Sequence, residues 1–230
     1  MRGFRFQVER IKMPHSGLNC KVSAKHALQD IRESMDIPRF TDLLEGRVGT
    51  ITISPNGTQQ IDAPPAGAIL SGAFNPLHAG HLGMAAAAAT FCGTPVTFDL
   101  AVRNADKGSL AAAEVVRRAA QFTGKAPLVL SAAPLFAQKA ILYPGRIFVI
   151  GYDTAVRLLD PRYYGGESAL RAALDHLRAA NCRFLVAGRL TCGRFQTLAD
   201  LTIPADYADI AEPIPEYLFR ADISSTELRG

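Results

Sequence analysis

The rhythm of apolar and polar positions changes near residue 67. Before it, Arg5 to Ile11 alternates weakly, with Phe6, Val8 and Ile11 apolar, and predicts a strand. Ala27, Leu28, Ile31 and Met35 recur at helical spacing behind Ser23, whose hydroxyl suits an N-cap, and predict a helix from about Ala24 to Met35. Arg47 to Gln60 reads as a hairpin: V-G-T-I-T-I-S, a Pro55-Asn56-Gly57 turn, then a polar return strand. Ala63-Pro64-Pro65-Ala66-Gly67 reads as a linker. The chain therefore divides into a small α+β annex over 1–66 and a larger domain over 67–230.

After the linker, short apolar runs alternate with helical patterns. Strands are predicted at Ala68–Leu70, Val96–Val102, Leu128–Leu130, Arg146–Ile150 and Arg183–Ala187. Helices are predicted at about Ala79–Phe91, Ala111–Phe122, Pro134–Leu142 and Ser168–Ala180. Thr197 to Phe219 is less regular. The run R-I-F-V-I is apolar nearly throughout, as a strand covered on both faces must be. Repeated β-then-α predicts an α/β fold, a Rossmann-like parallel sheet wrapped by helices, with ligands off the carboxyl ends of its strands.

Composition narrows this little. The chain has 230 residues, 48% hydrophobic and 20% charged, enough for one sizeable core or a core with an annex. Its net charge of +4 is spread evenly: residues 1–66 carry 9 basic and 7 acidic residues, the rest 16 and 14. With no basic stripe or aromatic platform, that balance suits an anionic small molecule and argues against nucleic acid. Leu82 to Leu100, the most apolar window, contains Pro95 and Asp99 and reads as core, not as a membrane span. Cys20, Cys92, Cys182 and Cys192 are scattered, and the N-terminus lacks an apolar signal region, so reduced thiols in a cytoplasmic protein are expected. His15, His26 and His176 have no partner pattern and read as surface or packing residues.

The chemistry gathers where the carboxyl-end rule directs. After the first strand comes S-G-A-F-N-P-L-H-A-G-H, with Gly72, Ala73, Phe74 and Asn75 in the turn and His78, Gly80 and His81 at the mouth of the next helix. A strand feeding a helix through a glycine-bearing turn makes an anion site, because free N–H groups and the positive dipole end point outward. After the second strand comes Asn104-Ala105-Asp106-Lys107, after the fourth Gly151-Tyr152-Asp153, and after the fifth Gly188-Arg189. Near the end, Ser224-Ser225-Thr226 with Arg229 one turn on reads as a helix start rich in donors to phosphate oxygens.

These stretches resemble the H-x-G-H nucleotidyltransferase superfamily, the adenylyl- and cytidylyltransferases. G-A-F-N-P-L-H-A-G-H carries its first signature, and I-S-S-T-E-L-R is similar to its I-S-S-T-x-x-R motif. N-A-D-K-G-S-L, Y-P-G-R-I-F-V-I-G-Y-D-T-A-V-R-L-L-D-P-R-Y-Y and F-R-A-D-I-S-S-T-E-L-R together resemble one poorly characterised branch. That branch is related to the nicotinamide and nicotinate mononucleotide adenylyltransferases, some of its members being fused to a CinA-like domain. The resemblance covers about residues 67–230.

The resemblance implies transfer of the AMP moiety of ATP to a phosphate-bearing acceptor, with release of pyrophosphate and no covalent intermediate. His78 and His81 would meet the α- and β-phosphates. Ser224, Ser225, Thr226 and Arg229 would hold the β- and γ-phosphates, and Lys107 the α-phosphate or the acceptor phosphate. Mg²⁺ would ride on the triphosphate, with no dedicated protein metal site. Gly151 and Asp153 would shape the nucleotide pocket, which favours nicotinamide or nicotinate mononucleotide as acceptor and a role in NAD biosynthesis. Asp153 reads equally as a helix N-cap. Many members continue into a full C-terminal helix, whereas at most one turn follows Thr226 here, which suggests a weaker triphosphate grip or support from a partner subunit in a homo-oligomer. Two other readings stand: cytidylyl transfer or adenylylation of phosphopantetheine, and a nucleotide-binding regulatory protein with little transferase activity.

Overall fold

The computed structural model describes residues 37–104, 108–191 and 193–220. The strand and helix expected before residue 36 lie outside them. The strands are β1 (Thr50–Ile53), β2 (Gln59–Ile61), β3 (Ala68–Ser71), β4 (Val96–Ala101), β5 (Arg103–Asn104), β6 (Gly108–Ser109), β7 (Leu128–Ser131), β8 (Ile147–Gly151), β9 (Arg183–Ala187), β10 (Arg189–Thr191), β11 (Arg194–Gln196) and β12 (Ala211–Pro213). The helices are α1 (Ile37–Glu45), α2 (Ala79–Cys92), α3 (Ala112–Ala119), α4 (Phe136–Leu142), α5 (Tyr152–Leu158) and α6 (Glu167–Ala179).

Eight strands form one mixed sheet in the order β12-β9-β8-β3-β4-β7-β1-β2. The six from β12 to β7 run parallel, and the β1–β2 hairpin adds to β7 antiparallel. The α/β fold with a Rossmann-like sheet is thus present, and the hairpin read from the N-terminal annex continues that sheet. Ile51 and Ile53 pair with Leu130 and Leu128, so the hairpin's apolar positions fall in line with those of the strand beside it.

Successive strand residues serve opposite cores, as the two-residue period of a strand dictates. Ala68, Leu70, Phe98, Leu100, Leu128 and Leu130 join Ala85, Ala87 and Ala88 of α2 and Val115 and Ala119 of α3. Ile69, Val129, Phe148, Ile150, Phe184 and Val186 join Ala140 of α4, Ala155 and Leu158 of α5, and Leu170, Leu174 and Leu177 of α6. The alanine run of α2 lets that helix approach the sheet closely.

The five strands expected after the linker appear within a residue or two of their predicted bounds. α5, the hairpins β5–β6 and β10–β11, β12 and α1 are additions. The added strands are too short to print a period, and α5 begins directly at the end of β8, whereas α1 carries a helical period, with Phe40 and Leu43 buried. The chain leaves β3 toward β4 and β7 on one side, then returns to β8, β9 and β12 on the other. The sheet reverses direction between β3 and β8, and in open α/β sheets that reversal opens a crevice at the carboxyl ends.

Candidate active site

The β3–α2 loop, Gly72 to Leu77, lies on one side of this crevice, and the start of α5 lies on the other. His78 is the N-cap of α2 and His81 its third residue. The carbonyl of His78 accepts from the amides of His81 at 3.0 Å and Leu82 at 3.3 Å, while the first amides of a helix have no intrahelical acceptor. The two imidazoles stack with centroids 3.8 Å apart and planes 28° from parallel. His81 Nδ1 accepts from the His78 amide at 3.4 Å. The two histidines therefore form one unit at a helix N-terminus.

Burial first, and the neighbouring His78 second, together push His81 down to about 4. Desolvation lowers His78 as well. At neutral pH the pair is uncharged, and an arriving anion would favour the charged form that burial disfavours.

The glycines of the signature are spent on the rings beside them. A Cβ on Gly72 would sit 2.7 Å from the Phe74 ring, and one on Gly80 would sit 3.0 Å from the His78 ring. Phe74 is 1% exposed and adopts a positive φ of 47°. Its ring meets His81 edge-on at 5.2 Å, Phe98 at 5.4 Å and Phe122 at 5.2 Å. The ring belongs to the core and floors the histidine pair, so any contact from Phe74 to a nucleotide runs through its backbone. Ala73 is exposed.

A row of side chains on α3 and the turn after it holds the loop. Arg118 donates to the Ala73 carbonyl at 2.8 Å and is itself held by Glu114. Arg117 donates to Asn75 Oδ1. Gln121 spans the loop: its Oε1 accepts from the Leu77 amide at 2.8 Å, and its Nε2 donates to the Phe74 carbonyl at 3.0 Å.

No protein-family model, curated protein or solved structure matches this chain. What the site can do chemically follows from its own residues.

Across the crevice, Gly151 is the N-cap of α5, and Asp153 lies within the helix's first turn. The N-cap reading of Asp153 is thus replaced by an ion pair with Arg189 of β10. Gly151 pairs with Ala187 of β9, which brings the sequence after β8 beside the sequence after β9. A Cβ on Gly151 would lie 3.9 Å from Met84 Cε, so the Met84 side chain, from the second turn of α2, reaches the start of α5. Lys107, Ser224, Ser225, Thr226 and Arg229 lie outside the described residues.

One cluster escaped the sequence reading. Asp99 of β4 is 0% exposed and pairs with Lys139 of α4, 3% exposed. Asp99 Oδ2 also accepts from Ser71 at 2.8 Å, and Oδ1 from Ser131 at 2.8 Å and Tyr143 at 3.1 Å. Its backbone carbonyl takes the Gly72 amide at 3.1 Å. Asp99 thus fastens the last residue of β3 and the first of the signature loop. Burial, then the Asp99 charge, raises the Tyr143 hydroxyl and keeps it protonated as a donor. The available signal was a lone aspartate inside the apolar strand V-T-F-D-L-A.

Among the described residues no helix is long and apolar enough to cross a membrane. Among them, too, no three His, Cys, Asp or Glu side chains gather as a metal site.

Proposed function

We propose that the chain is a nucleotidyltransferase that moves the AMP moiety of ATP to a phosphate-bearing acceptor, nicotinamide or nicotinate mononucleotide, in the cytoplasm. The observation that carries this reading is the stacked, uncharged His78–His81 pair at the N-terminus of α2, beside the sheet's reversal point. An acceptor phosphate oxygen attacks the α-phosphorus, the α–β bridging P–O bond breaks, and pyrophosphate leaves. His78 and His81 donate to the phosphate oxygens on which charge builds, and the α2 dipole adds to their effect. Because the rings are held against each other and against Phe74, little reorganisation remains to be done in the transition state.

The second phosphate grip, Ser224, Ser225, Thr226 and Arg229, follows from sequence. Phe219 supports it, because its ring packs against Gly83, two residues after His81. Ser224 is five residues further along the chain, a tether of at most about 18 Å when extended. Lys107 would meet the α- or acceptor phosphate, and Mg²⁺ on the triphosphate would neutralise part of its charge. The Gly151–Asp153 segment and its Arg189 partner support a mononucleotide acceptor at the mouth of the crevice.

Pyrophosphate release tests the proposal. ATP and Mg²⁺ are supplied with nicotinamide mononucleotide, nicotinate mononucleotide or phosphopantetheine in turn, then with CTP in place of ATP. Release that needs a mononucleotide acceptor, with the adenylylated product seen by mass, is the expected result. Saturable ATP binding without release for any acceptor would overturn it in favour of a regulatory nucleotide-binding protein.

A further inference from the structure

Gln121 grips the signature loop on both sides of its Asn75-Pro76 turn. It lies in the three-ten turn Ala120–Phe122 that continues α3. Its carboxamide takes the Leu77 amide at 2.8 Å through Oε1 and reaches the Phe74 carbonyl at 3.0 Å through Nε2. A second Nε2 contact to the Arg118 carbonyl at 3.2 Å ties the amide back to its own helix. Oxygen and nitrogen are thus both occupied, and the orientation of the amide is fixed by what it faces. A glutamine is one of the few side chains that satisfies an N–H and a C=O three residues apart on another segment.

Each bond lands at a mechanically sensitive place. Phe74 has a positive φ, a conformation unfavourable for a non-glycine residue that needs outside support. Leu77 immediately precedes His78, so its amide sets where the N-cap residue begins. The His78 ring in turn has its position limited by Gly80 and by the stacked His81.

We propose that Gln121 is a positioning residue for the H-x-G-H pair: by bridging Leu77 and Phe74 it holds the two imidazoles in their stacked arrangement. This rests on the nucleotidyltransferase reading for its catalytic consequence, but not for its geometric one. Gln121→Met removes both hydrogen bonds at nearly constant volume. Gln121→Asn keeps the carboxamide and withdraws it by one methylene, and it is read instead if the methionine variant does not fold.

Two readouts separate the claims. The first is the proton NMR of the imidazoles, assigned by substitution of each histidine. Stacking at 3.8 Å imposes ring-current shifts on both rings, and in the variant these collapse toward those of an unstacked histidine. The second is turnover. The kcat falls about tenfold to a hundredfold, while the KM for ATP changes less than threefold, because the loss falls on the transition state. Ring shifts that stay at their wild-type values in a folded variant overturn the inference whatever happens to turnover. So does a loss confined to KM. Collapsed ring shifts in a protein whose wild type shows no transferase activity uphold the positioning role and count against the nucleotidyltransferase reading alone.

Discussion

The two sides of the β3 terminus are built on opposite plans. On one side, two histidines stand half-exposed at a helix start, stacked and uncharged. On the other, an aspartate and a lysine are buried and paired, and three hydroxyls complete the carboxylate's coordination. Both are polar clusters in a largely apolar sheet, and both touch the same short loop. The difference lies in how each meets the cost of burial. The Asp99 cluster keeps its charges by pairing them, is complete in itself and serves to anchor. The histidine pair gives up its charge at neutral pH, and its place at a helix N-terminus suits an anion that would restore it.

The largest effect should come from breaking the completed cluster. Lys139→Met leaves Asp99 buried without its cation and is expected to cost about 3–5 kcal/mol in denaturant unfolding. Asp99→Asn combined with Lys139→Met keeps the Ser131 and Tyr143 bonds to Oδ1, lets the new amide donate to Ser71 Oγ, removes the buried charge and should recover most of that loss. A double variant no more stable than the single would show that the pair's charge is not what matters.

The histidine side should behave in the reverse manner, losing function and not fold. His81→Ala should unfold near the wild-type midpoint while turnover drops at least about a hundredfold, the scale of one lost oxyanion-type donor. Near-normal turnover in the folded variant would remove His81 from the mechanism.

The pH dependence sharpens the contrast. The folded His81 is pushed down to about 4 from an ordinary 6.5, so between those values the unfolded chain binds a proton that the folded chain does not. Its contribution is therefore present above about pH 6.5 and is lost as pH falls toward 4. Discounted for partial exposure, the loss should reach about 1–2 kcal/mol. Unfolding curves at pH 7 and pH 4.5 would check this, and His81→Ala should flatten the difference.

The smallest expected stability effect is at Gly80, which sets it apart from the other signature glycine. Gly72→Ala drives a methyl group to 2.7 Å from the buried Phe74 ring and should cost about 1–3 kcal/mol. Gly80→Ala meets the His78 ring at 3.0 Å inside a helix that welcomes alanine. Its melting point should change little while turnover falls, because the half-exposed ring moves aside. Equal destabilisation by both would contradict the assignment of Phe74 to the core and His78 to the site.

Fold and site were legible to different depths for physical reasons. R-I-F-V-I announces a buried strand because residues on both faces must be apolar when helices cover both. The H-x-G-H loop was legible because its residues are consecutive. Asp99 with Ser71, Ser131, Lys139 and Tyr143 was not, since their meeting depends on strand order and on α4 crossing the sheet. Gln121 was hidden for the same reason: α3 carries an ordinary amphipathic pattern, and nothing local says which loop its polar end will reach. α5 was missed because it begins directly at the end of β8, with no loop between strand and helix to mark its start. The Asp153–Arg189 pair followed only once β8 and β9 were seen side by side.

Calorimetry of ATP binding near pH 6, in buffers of different ionisation enthalpy, tests most directly whether this uncharged pair receives the triphosphate. The free His81 sits at about 4, and a bound phosphate raises it, so binding should take up a proton and tighten as pH falls from 7 toward 5.5. His81→Ala should lose most of that uptake. Binding with the same proton count in wild type and variant, and with no tightening at lower pH, would contradict the account.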